Sequence, residues 1–559
     1  MSGLRSSVPA AMLMAPLAAT GASAATFIVT SLADSGSGSL RATVAAAASG
    51  DSINITATGT LTLTSGEIPV TKALTIAGPG ATSLTISGNA TSRIFKVSAT
   101  TAGAEDAPLS LSGVTLASGY ASGTCPVPAT GSGGAIAATE SLSLSDVVIS
   151  NSHAARNGGA LAWALRRNGQ SLTLSNVRVS GNSAGCASAT AGGIGGGIFA
   201  GYDSSVSSAA TGTVTLLNTR ILGNSAQRHG GGLALTGPVT ATLSGARLSG
   251  NTAIGGYGGG LYLAPPSVST VTSPGVTVNS SELSSNLAAL AGGAIAAANL
   301  AAAQQGSGSR SALVLTNSTV SGNVVQSAAG DGAAASLAGN VALTLNNCTV
   351  ANNDLASNPT GAAIVRGLCT VTTEPIVALN STIVALTNGA TSGYSDLSDG
   401  GVTFASAWST NQSLIQQASV TLSGAGNITA VDPQLMALGW NGGSTRSHAL
   451  NANSPALNTG SNPLGLSTDQ RGAARTFGGV ADIGAYEATV SASTTAGCSF
   501  DLDGDGVLAA STDGLLLARI MLGYSGSAVV AGAVNSAGTR PTWAAIRTYL
   551  NANCGFTLP

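Results

Sequence analysis

The chain has 559 residues, of which 76 are glycine, 3% are aromatic and 8% are charged, and its formal net charge is −2. So few large rings exclude a compact core built from aromatic side chains. Because no basic surplus and no basic stripe are visible, we expect neither a nucleic-acid partner nor an electrostatic grip on a strongly acidic polymer.

The first 24 residues have the features of a secretory signal peptide. An arginine near the start is followed by a stretch rich in Ala, Met and Leu, and Ala-Ser-Ala at 22–24 offers a cleavage site before Ala25. No later run approaches the roughly 18 uninterrupted apolar residues that a membrane-spanning helix needs. We therefore expect an exported protein, secreted or held at the cell surface, without a transmembrane helix.

One phrase recurs seven times in the middle of the chain. It combines alternating apolar residues with an aliphatic residue three places before a closing Ser or Asn, and most copies lead into a glycine pair. The spacing between copies is uneven, which a solenoid of strands tolerates because insertions fit into its outer turns, whereas helical repeats keep a nearly fixed length. The copies are 142–152, 172–182, 214–224, 241–251, 276–286, 313–323 and 343–353.

Alternation with a period of two is a strand signal, and the phrase has no apolar stripe at a spacing of 3.6. Small and aliphatic residues suffice for a parallel β-helix, whose rungs stack about 4.8 Å apart. The pattern therefore predicts an all-β, single-stranded parallel β-helix. In this register, a column of asparagines should hydrogen-bond from rung to rung, and one aliphatic position should form an inward row. The asparagines are Asn182, Asn224, Asn251, Asn286 and Asn323, and the inward row is Leu174, Leu216, Leu243, Val278 and Leu315.

Titratable residues are spread thinly, which argues against catalysis. A glycosidase needs two carboxylates about 5–10 Å apart, and no two acids between 100 and 380 fall at matching positions of adjacent phrases. The nearest constellation for a lyase, which needs a base and a charge neutraliser, is Arg156, Arg228 and His229. Both arginines precede a glycine pair by two residues, so they are expected on one face, two rungs apart. Because solvated turn residues explain them better, we expect no catalytic residue.

Six cysteines in an exported chain suggest disulfides, although the pairing cannot be deduced from the sequence. Positions in nearby coils or at the two ends of one module favour three pairs. Metal ligation is the weaker interpretation because no CxxC motif occurs. The favoured pairs are Cys125 with Cys186, Cys348 with Cys369, and Cys498 with Cys554.

The composition changes after a linker at 491–497. Residues 501–513 place aspartates at positions 1, 3 and 5 of an EF-hand-like loop, and the carbonyl of the seventh residue would be a further ligand. The last acid comes one residue later than the Glu of a standard loop. The pattern predicts a Ca²⁺ site, with a solvated acidic turn as the alternative. The predicted ligands are Asp501, Asp503, Asp505, Val507 and Asp513.

Both ends of the solenoid carry a family resemblance. Residues 26–55 and 59–80 resemble the opening of bacterial secreted proteins with a choice-of-anchor Q domain, and residues 431–460, 468–472 and 481–487 match the run by which that family is recognised. The middle phrases are similar to the repeats of polymorphic outer membrane proteins, with an aliphatic residue in place of Phe. The resemblance implies a right-handed β-helix displayed at the cell surface, and no single activity.

The C-terminal module resembles one calcium-binding half of a dockerin. Its acidic loop is followed by an apolar helical segment, and WAAIRTYLN at 543–551 is typical of a second helix. The resemblance implies a small EF-hand-like helical module with a possible cohesin-like partner. It departs from the dockerin pattern because a second acidic loop is missing.

These observations predict a signal peptide at 1–24, a β-helix at 25–490, a linker at 491–497 and a dockerin-like module at 498–559. The expected function is non-catalytic surface display or adhesion, with an extracellular or cell-surface glycan or protein as partner. The alternative is a β-helix polysaccharide lyase or glycoside hydrolase that acts on extracellular polysaccharide. Clustered charged residues in a groove would favour the enzyme, and a bare face of Ser, Thr and Asn would favour the scaffold.

Overall fold

The fold is a right-handed parallel β-helix followed by a small helical module. Each complete coil of the helix carries four strands, which belong in turn to four parallel sheets, named sheets 1 to 4 in the order in which the chain visits them. The computed structural model describes residues 24–99, 106–124, 130–186, 192–202, 210–264, 275–298, 310–356, 358, 361–367, 374–389, 394–489, 498–536, 538–554, 556 and 558.

Sheets 1 and 2 are the longest stacks and have 14 and 13 strands within the described residues. Sheet 1 consists of Thr26–Val29, Ser52–Ile55, Leu74–Ala77, Leu109–Ser112, Leu142–Ser145, Gln170–Ser175, Gly212–Leu217, Val239–Ser244, Gly275–Asn279, Ser311–Thr316, Val341–Asn346, Ile376–Asn380, Trp408–Asn411 and Leu422–Ser423. Sheet 2 consists of Gly59–Thr62, Leu84–Ser87, Thr115–Ala117, Val148–Ser150, Arg178–Ser180, Arg220–Leu222, Arg247–Ser249, Glu282–Ser284, Thr319–Ser321, Thr349–Ala351, Ile383–Ala385, Leu414–Ile415 and Ile428–Thr429.

Sheets 3 and 4 complete the coil, with 9 and 11 strands in the described part of the chain. Sheet 3 consists of Tyr120–Ala121, His153–Ala154, Ser183–Ala184, Ser225–Ala226, Thr252–Ala253, Leu287–Ala288, Val324–Val325, Asp354–Leu355 and Asn388–Gly389. Sheet 4 consists of Ile68–Val70, Phe95–Val97, Ile136–Ala138, Leu161–Ala164, Ile198–Gly201, Leu233–Thr236, Leu261–Ala264, Ile295–Ala298, Ala335–Ala338, Ala362–Gly367 and Ser395–Ser398.

The predicted inward row is confirmed. Leu174, Leu216, Leu243, Val278 and Leu315 pair in register on successive strands of sheet 1, and each is fully buried. Alternation along the strand explains this, because every second side chain points to the same face and the small, aliphatic residues fill a narrow interior. The core is therefore one continuous column and not a globular centre.

The predicted asparagine column is confirmed as well, and it continues for one more coil. Each Nδ2 donates to the Oδ1 of the asparagine in the next coil at 2.9–3.0 Å, from Asn182 to Asn353. Each Nδ2 also donates to a backbone carbonyl of the preceding coil, as from Asn251 to Ile221. The column lies at the corner between sheets 2 and 3, and its amides satisfy buried backbone groups that no strand pairing reaches.

The glycine pairs mark places where two coils approach backbone to backbone. A Cβ on Gly196 would lie 2.3 Å from the carbonyl oxygen of Gly231, and Gly195 before it has a φ of +68°. Any larger residue would force the coils apart, so the recurrent glycines follow from close approach.

A segment that we call the closing segment, residues 431–488, folds back along the outer face of sheet 2. Arg446 bonds Glu282, Gln470 bonds Thr319, and the His448 ring bonds Ser321. The closing segment thus covers one flank of the β-helix. Helix Leu40–Ala46 lies at the opposite end of the stack, against the first strands.

The closing segment is held together by buried charges. Arg475 and Glu487 are each 1% exposed and form an ion pair at 3.1 Å, and Glu487 also accepts the backbone N–H groups of Phe477 and Asp482. Burial raises the pKa of Glu487 to about 7, with a smaller contribution from the neighbouring Asp482 charge. Glu487 is therefore sealed from solvent and helps to hold the closing segment together.

One predicted disulfide is present and one is wrong. Cys498 and Cys554 are bonded, and they join the two ends of the C-terminal module. Cys348 is instead a free, fully buried thiol. It lies in a column of small inward residues, between Ser318 and Thr382. In all three residues the side chain donates to the backbone carbonyl two positions earlier, and for Cys348 this is the Asn346 carbonyl.

The remaining cysteines are only partly within the described residues. Cys186 is disulfide-bonded. Cys125 and Cys369 lie outside the described residues, and so does the predicted signal peptide except for its last residue. No helix within the described ranges is long and apolar enough to cross a membrane.

The C-terminal module has its own apolar core around Leu502, Leu516, Ile546 and Leu550. It is separated from the β-helix by the residues at 490–497, which fall outside the described ranges. Its helical elements are Ala510–Gly514, a π-helical turn, followed by Leu515–Met521, Ser527–Val530 and Trp543–Asn553.

Candidate functional site

Arg156 and Arg228 lie in one column at the passage from sheet 3 to sheet 4. The backbone N–H of Gly193 donates to the Arg156 carbonyl at 2.8 Å, and the Arg228 N–H donates to the Gly193 carbonyl at 2.9 Å. The two arginines are therefore two coils apart with a glycine between them. This placement agrees with the spacing read from the sequence.

His229 lies at the centre of an aromatic stack. Its ring packs on Tyr257 of the next coil at 5.3 Å and on Tyr262 at 4.7 Å between ring centroids. Its Nδ1 accepts the backbone N–H of Tyr257 at 3.2 Å. Burial, together with the neighbouring Arg228 charge, lowers the pKa of His229 to about 4. The imidazole is therefore neutral at pH 7 and carries its hydrogen on Nε2.

That Nε2–H is the unusual feature of the site. His229 is 7% exposed, and its Nε2 is a buried polar atom with no hydrogen-bond partner among the described residues. Buried donors are almost always paired because an unpaired one costs about 1–3 kcal/mol. An orphaned donor in a cluster of polar side chains therefore indicates a place for an acceptor that the described residues do not supply.

Tyr262 adds a second donor beside it. The residue is 5% exposed and lies in the outward row of sheet 4 with Phe199 and Ala234 in the preceding coils. Burial raises the pKa of Tyr262 to about 12, which keeps the phenol protonated at neutral pH. We call Arg228, His229, Tyr257 and Tyr262 the donor cluster.

The donor cluster holds no base. Within the described residues, no carboxylate forms an ion pair with Arg228. The nearest acid in its column is Asp331, two coils beyond Tyr257, whose carboxylate accepts the N–H groups of Gly332 and Ala362. The arrangement is suited to holding an anion, because the Arg228 guanidinium and the His229 Nε2–H are donors and the tyrosine hydroxyls can donate as well.

The outer face of sheet 1 has a different character. Across the described strands of this sheet there is no charged residue, and the outward positions are mostly hydroxyls and amides. One such column is Thr173, Thr215, Thr242, Thr277, Val314 and Thr344. This is the bare Ser, Thr and Asn face that favours a scaffold.

A cavity of about 490 Å³ lies near the last coils, lined by Arg366, Asp399 and Phe404 among others. The Arg366 guanidinium is 1% exposed, pairs with Asp399 at 2.7 Å, and stands 4.9 Å from the rings of both Phe404 and Trp408. The Arg366 guanidinium is paired with Asp399 and Ser406, so it stabilises the wall of the cavity.

In the C-terminal module, the structure brings together three of the five predicted metal ligands. Carboxylate oxygens of Asp501, Asp503 and Asp513 lie within 4.8 Å of one another, so this group could hold a metal ion. Partial burial works to raise the pKa of Asp513, but hydrogen bonds from Ala509 and Leu502 outweigh it and lower the pKa.

Asp505, also a predicted ligand, is not a member of this group. The Asp505 carboxylate accepts the Nδ2–H of Asn535 at 3.0 Å and the N–H of Val507 at 2.8 Å. Asn535 belongs to the segment that faces the loop, and Arg540 of the same segment bonds the Asp501 and Leu502 carbonyls. The second half of the module therefore braces the acidic loop.

Sequence reasoning missed Tyr257 and Tyr262. An alignment of the glycine phrases could have found Tyr262. The phrase at 230–234 ends with Ala234, whereas the phrase at 258–262 has Tyr262 at the matching position. Tyr262 thus places a large ring in a column whose preceding members are Ala162, Phe199 and Ala234.

Comparisons with known proteins find β-helices. The A-module of mannuronan C-5 epimerase AlgE6 from Azotobacter vinelandii is 13% identical, with a TM-score of 0.40, over 73% of this chain and 100% of that chain. Pectate lyase Pel9A is 14% identical, with a TM-score of 0.36, over 84% and 97%. The PL6 family alginate lyase AlyGC is 13% identical, with a TM-score of 0.38, over 86% and 60%.

No family model matches the chain, and no curated protein matches it either. At these identities and TM-scores, the chemistry of this chain has to be inferred from its own residues.

Proposed function

We propose that this protein is an extracellular β-helix that binds uronic-acid polysaccharide without cleaving it, and that the donor cluster recognises a sugar carboxylate. The observation that carries the proposal is the buried, unpartnered Nε2–H of His229 beside the Arg228 guanidinium. Both groups donate, and neither has an acceptor among the described residues.

A carboxylate is the ligand group that such donors fit best. It accepts through two oxygens, and a charge-assisted bond from a guanidinium is roughly twice as strong as a neutral one. The ring of Tyr257, which is only partly buried, offers a flat apolar surface for the C–H face of a sugar. A repeating protein surface also suits a repeating polymer, since successive coils present similar groups at a constant rise.

A lyase remains the second candidate function because Tyr262 could act as a proton donor. In β-elimination, a base takes the C5 proton of the uronate, the C4–O bond breaks, a C4=C5 double bond forms, and an acid protonates the leaving oxygen. The donor cluster offers the carboxylate neutraliser and the acid. It offers no base with a pKa near neutrality, which favours binding over turnover.

We expect Arg228→Gln and His229→Asn to weaken binding to polygalacturonate by about tenfold each, since each removes one charge-assisted or buried donor. Asn at position 229 keeps an acceptor for the Tyr257 N–H and removes only the Nε2 donor. Binding is measured by calorimetry on the purified full chain, and turnover by the ultraviolet absorbance of unsaturated uronate products.

Lys96→Gln is the matched control. Lys96 is an exposed cation on sheet 4, and its strand lies four strands away from Leu233–Thr236, the strand that follows Arg228. The control should bind like the wild type, and Arg156→Ala with Arg228→Ala should leave folding and secretion unchanged. Turnover by the wild type that either donor-cluster variant abolishes would replace the binding proposal with the lyase. Absence of binding to any uronate polymer would overturn both.

We further propose that Ca²⁺ stabilises the C-terminal module through Asp501, Asp503 and Asp513. Three carboxylates whose oxygens converge within 4.8 Å offer the hard oxygen ligands that Ca²⁺ prefers. A cohesin-like partner is not part of the proposal, because the described residues of the facing segment contribute Asn535 and Arg540 where a dockerin would repeat its acidic loop.

Calcium should raise the melting temperature of the module, and Asp513→Asn should abolish that rise. Saturation at 100 times Kd would contribute about 2.7 kcal/mol. Asp505→Asn is the informative comparison: the EF-hand pattern makes it a ligand, whereas the structure engages it with Asn535, so we expect a smaller loss than for Asp513→Asn. Scanning calorimetry of the full chain with Ca²⁺ and with a chelator checks this, and an unchanged melting profile would contradict the proposal.

A further inference from the structure

Three arginines stand in register on neighbouring strands of sheet 2. Arg178 pairs with Arg220, and Arg220 pairs with Arg247, as Cα partners in the parallel ladder. The residue after each arginine, Val179, Ile221 or Leu248, is fully buried, so the arginine side chains point outward. Strand spacing places the three guanidinium stems about 4.8 Å apart along the axis. We call these residues the arginine column.

Two of the three arginines have no carboxylate partner among the described residues. The hydrogen bond that Arg178 makes is from Nε to the Ser180 hydroxyl at 3.4 Å. Arg247 pairs with Glu282 at 3.1 Å, but within the described residues neither Arg178 nor Arg220 has a carboxylate at ion-pair distance. Like charges on directly opposed strand positions destabilise a sheet. Three of them in a row therefore indicate a surface that gains from an external anion.

Trp440 forms a wall beside the column. Its indole lies 5.9 Å from the Arg220 guanidinium and 5.6 Å from that of Arg247, and the residue is still 56% exposed. Trp440 belongs to the closing segment, which covers sheet 2 from Glu282 onward through Arg446. The closing segment thus reaches the arginine column through Trp440, and much of the indole remains exposed there.

We propose that the arginine column and Trp440 form a docking surface for a uronic-acid polysaccharide that runs along the axis of the β-helix. The guanidinium fork matches the planar carboxylate, and one arginine per coil presents evenly spaced cations to a chain with one carboxylate per sugar. The open indole packs on a sugar ring. A nucleic acid fits poorly, because it requires a broad basic surface and this chain has a net charge of −2.

This surface is separate from the donor cluster and does not rest on it. The arginine column lies on sheet 2, whereas the donor cluster lies between sheets 3 and 4. Each can bind or fail to bind independently, so variants at the two places separate the two proposals.

Arg178→Gln with Arg220→Gln should weaken binding of the full chain to polygalacturonate by at least about tenfold. It should also flatten the dependence of Kd on salt, since exposed charge contacts are screened. Trp440→Ala should weaken binding without changing the salt dependence. Arg247 is left in place because Glu282 depends on it. The charge-matched control is Lys96→Gln with Arg166→Gln, which removes two exposed cations elsewhere.

The melting temperature keeps the experiment interpretable. Removing the like charges should leave it unchanged or raised, so a loss of affinity at an intact melting temperature supports the docking surface. Unchanged polygalacturonate affinity in the double variant overturns it, as does an equal loss in the control. Tighter binding of dextran sulfate than of polygalacturonate also overturns the assignment to uronates. If only Arg228→Gln weakens binding, the docking surface fails and the donor cluster stands.

Discussion

Replacing Asn251 by Ala should lower the free energy of unfolding by about 3–5 kcal/mol, because four buried polar groups would each lose a hydrogen bond at once. The Oδ1 of Asn251 accepts from both the backbone N–H and the Nδ2 of Asn224 at 3.0 Å. Its Nδ2 donates to the Ile221 carbonyl and to Asn286. Alanine removes both sets of bonds, and no water can reach a residue that is 0% exposed.

The matched control is Asn279→Ala in the coil of Asn286. Asn279 is only partly buried on the outer face of sheet 1, so its loss should cost less than about 0.5 kcal/mol. Urea unfolding followed by circular dichroism gives the midpoint and slope for both variants. A broadened, two-step transition for Asn251→Ala would still fit, since repeat arrays can lose cooperativity at a weakened coil. Equal midpoints for the two variants would show that the column contributes no stability.

The asparagine column was predictable because the phrase fixes its own register. The aliphatic residue and the asparagine keep a constant separation inside each copy. Insertions between copies therefore leave the positions of these two residues relative to each other unchanged. Asn182 and Asn224 are 42 residues apart and Asn224 and Asn251 only 27, yet both pairs bond with the same geometry. The spacing inside each copy was therefore enough to predict the inward aliphatic row and the asparagine column at the corner between sheets 2 and 3.

The arginine column carried the same signal, and the expectation that no basic stripe exists was wrong. Arg178, Arg220 and Arg247 each stand four residues before the asparagine of their coil. Composition hides this, because three cations among 559 residues leave the net charge near zero. A charge pattern in a solenoid has to be sought in the register of the repeats, since parallel stacking brings together residues that are far apart in the chain.

The role of the closing segment was beyond the reach of spacing arguments. Its contacts with sheet 2 join residues such as Ser281 and Gln470, which are separated by 189 positions, and no periodicity relates them. The acidic loop shows the same limit at shorter range, because Asn535 engages Asp505 from 30 residues away. Motifs predict which groups are available, whereas distant segments decide how each one is used.

Glu282→Ala should detach the closing segment and lower the free energy of unfolding by about 3–5 kcal/mol, the usual cost of breaking a buried ion pair from one side. Glu282 is 0% exposed and accepts from Arg446 Nε at 2.9 Å, from the Arg446 backbone N–H at 2.9 Å and from Arg247 at 3.1 Å. Without the carboxylate, Arg446 is left against sheet 2 with no counter-charge. Limited proteolysis should then cut within 431–488 while the remaining β-helix stays resistant.

Acid should reproduce the effect in the wild type. Burial opposes ionisation of Glu282, but hydrogen bonds from Arg446 and Ser284 outweigh it and hold its pKa below the ordinary value for Glu. Because the folded pKa is the lower one, the stability that this group provides is present above the ordinary pKa and is lost as the pH falls toward the folded value. The proteolysis rate of the closing segment should rise across that window in the wild type, whereas Glu282→Ala should already be fast at pH 7 and lose this part of the pH dependence.

Glu282→Met with Arg446→Met supplies the compensated control, since replacing both partners by apolar groups restores much of what one replacement removes. A single variant as resistant as the wild type at pH 7 would mean that the closing segment is held by its other contacts, with Thr319, Ser321 and Thr349, and not by this ion pair.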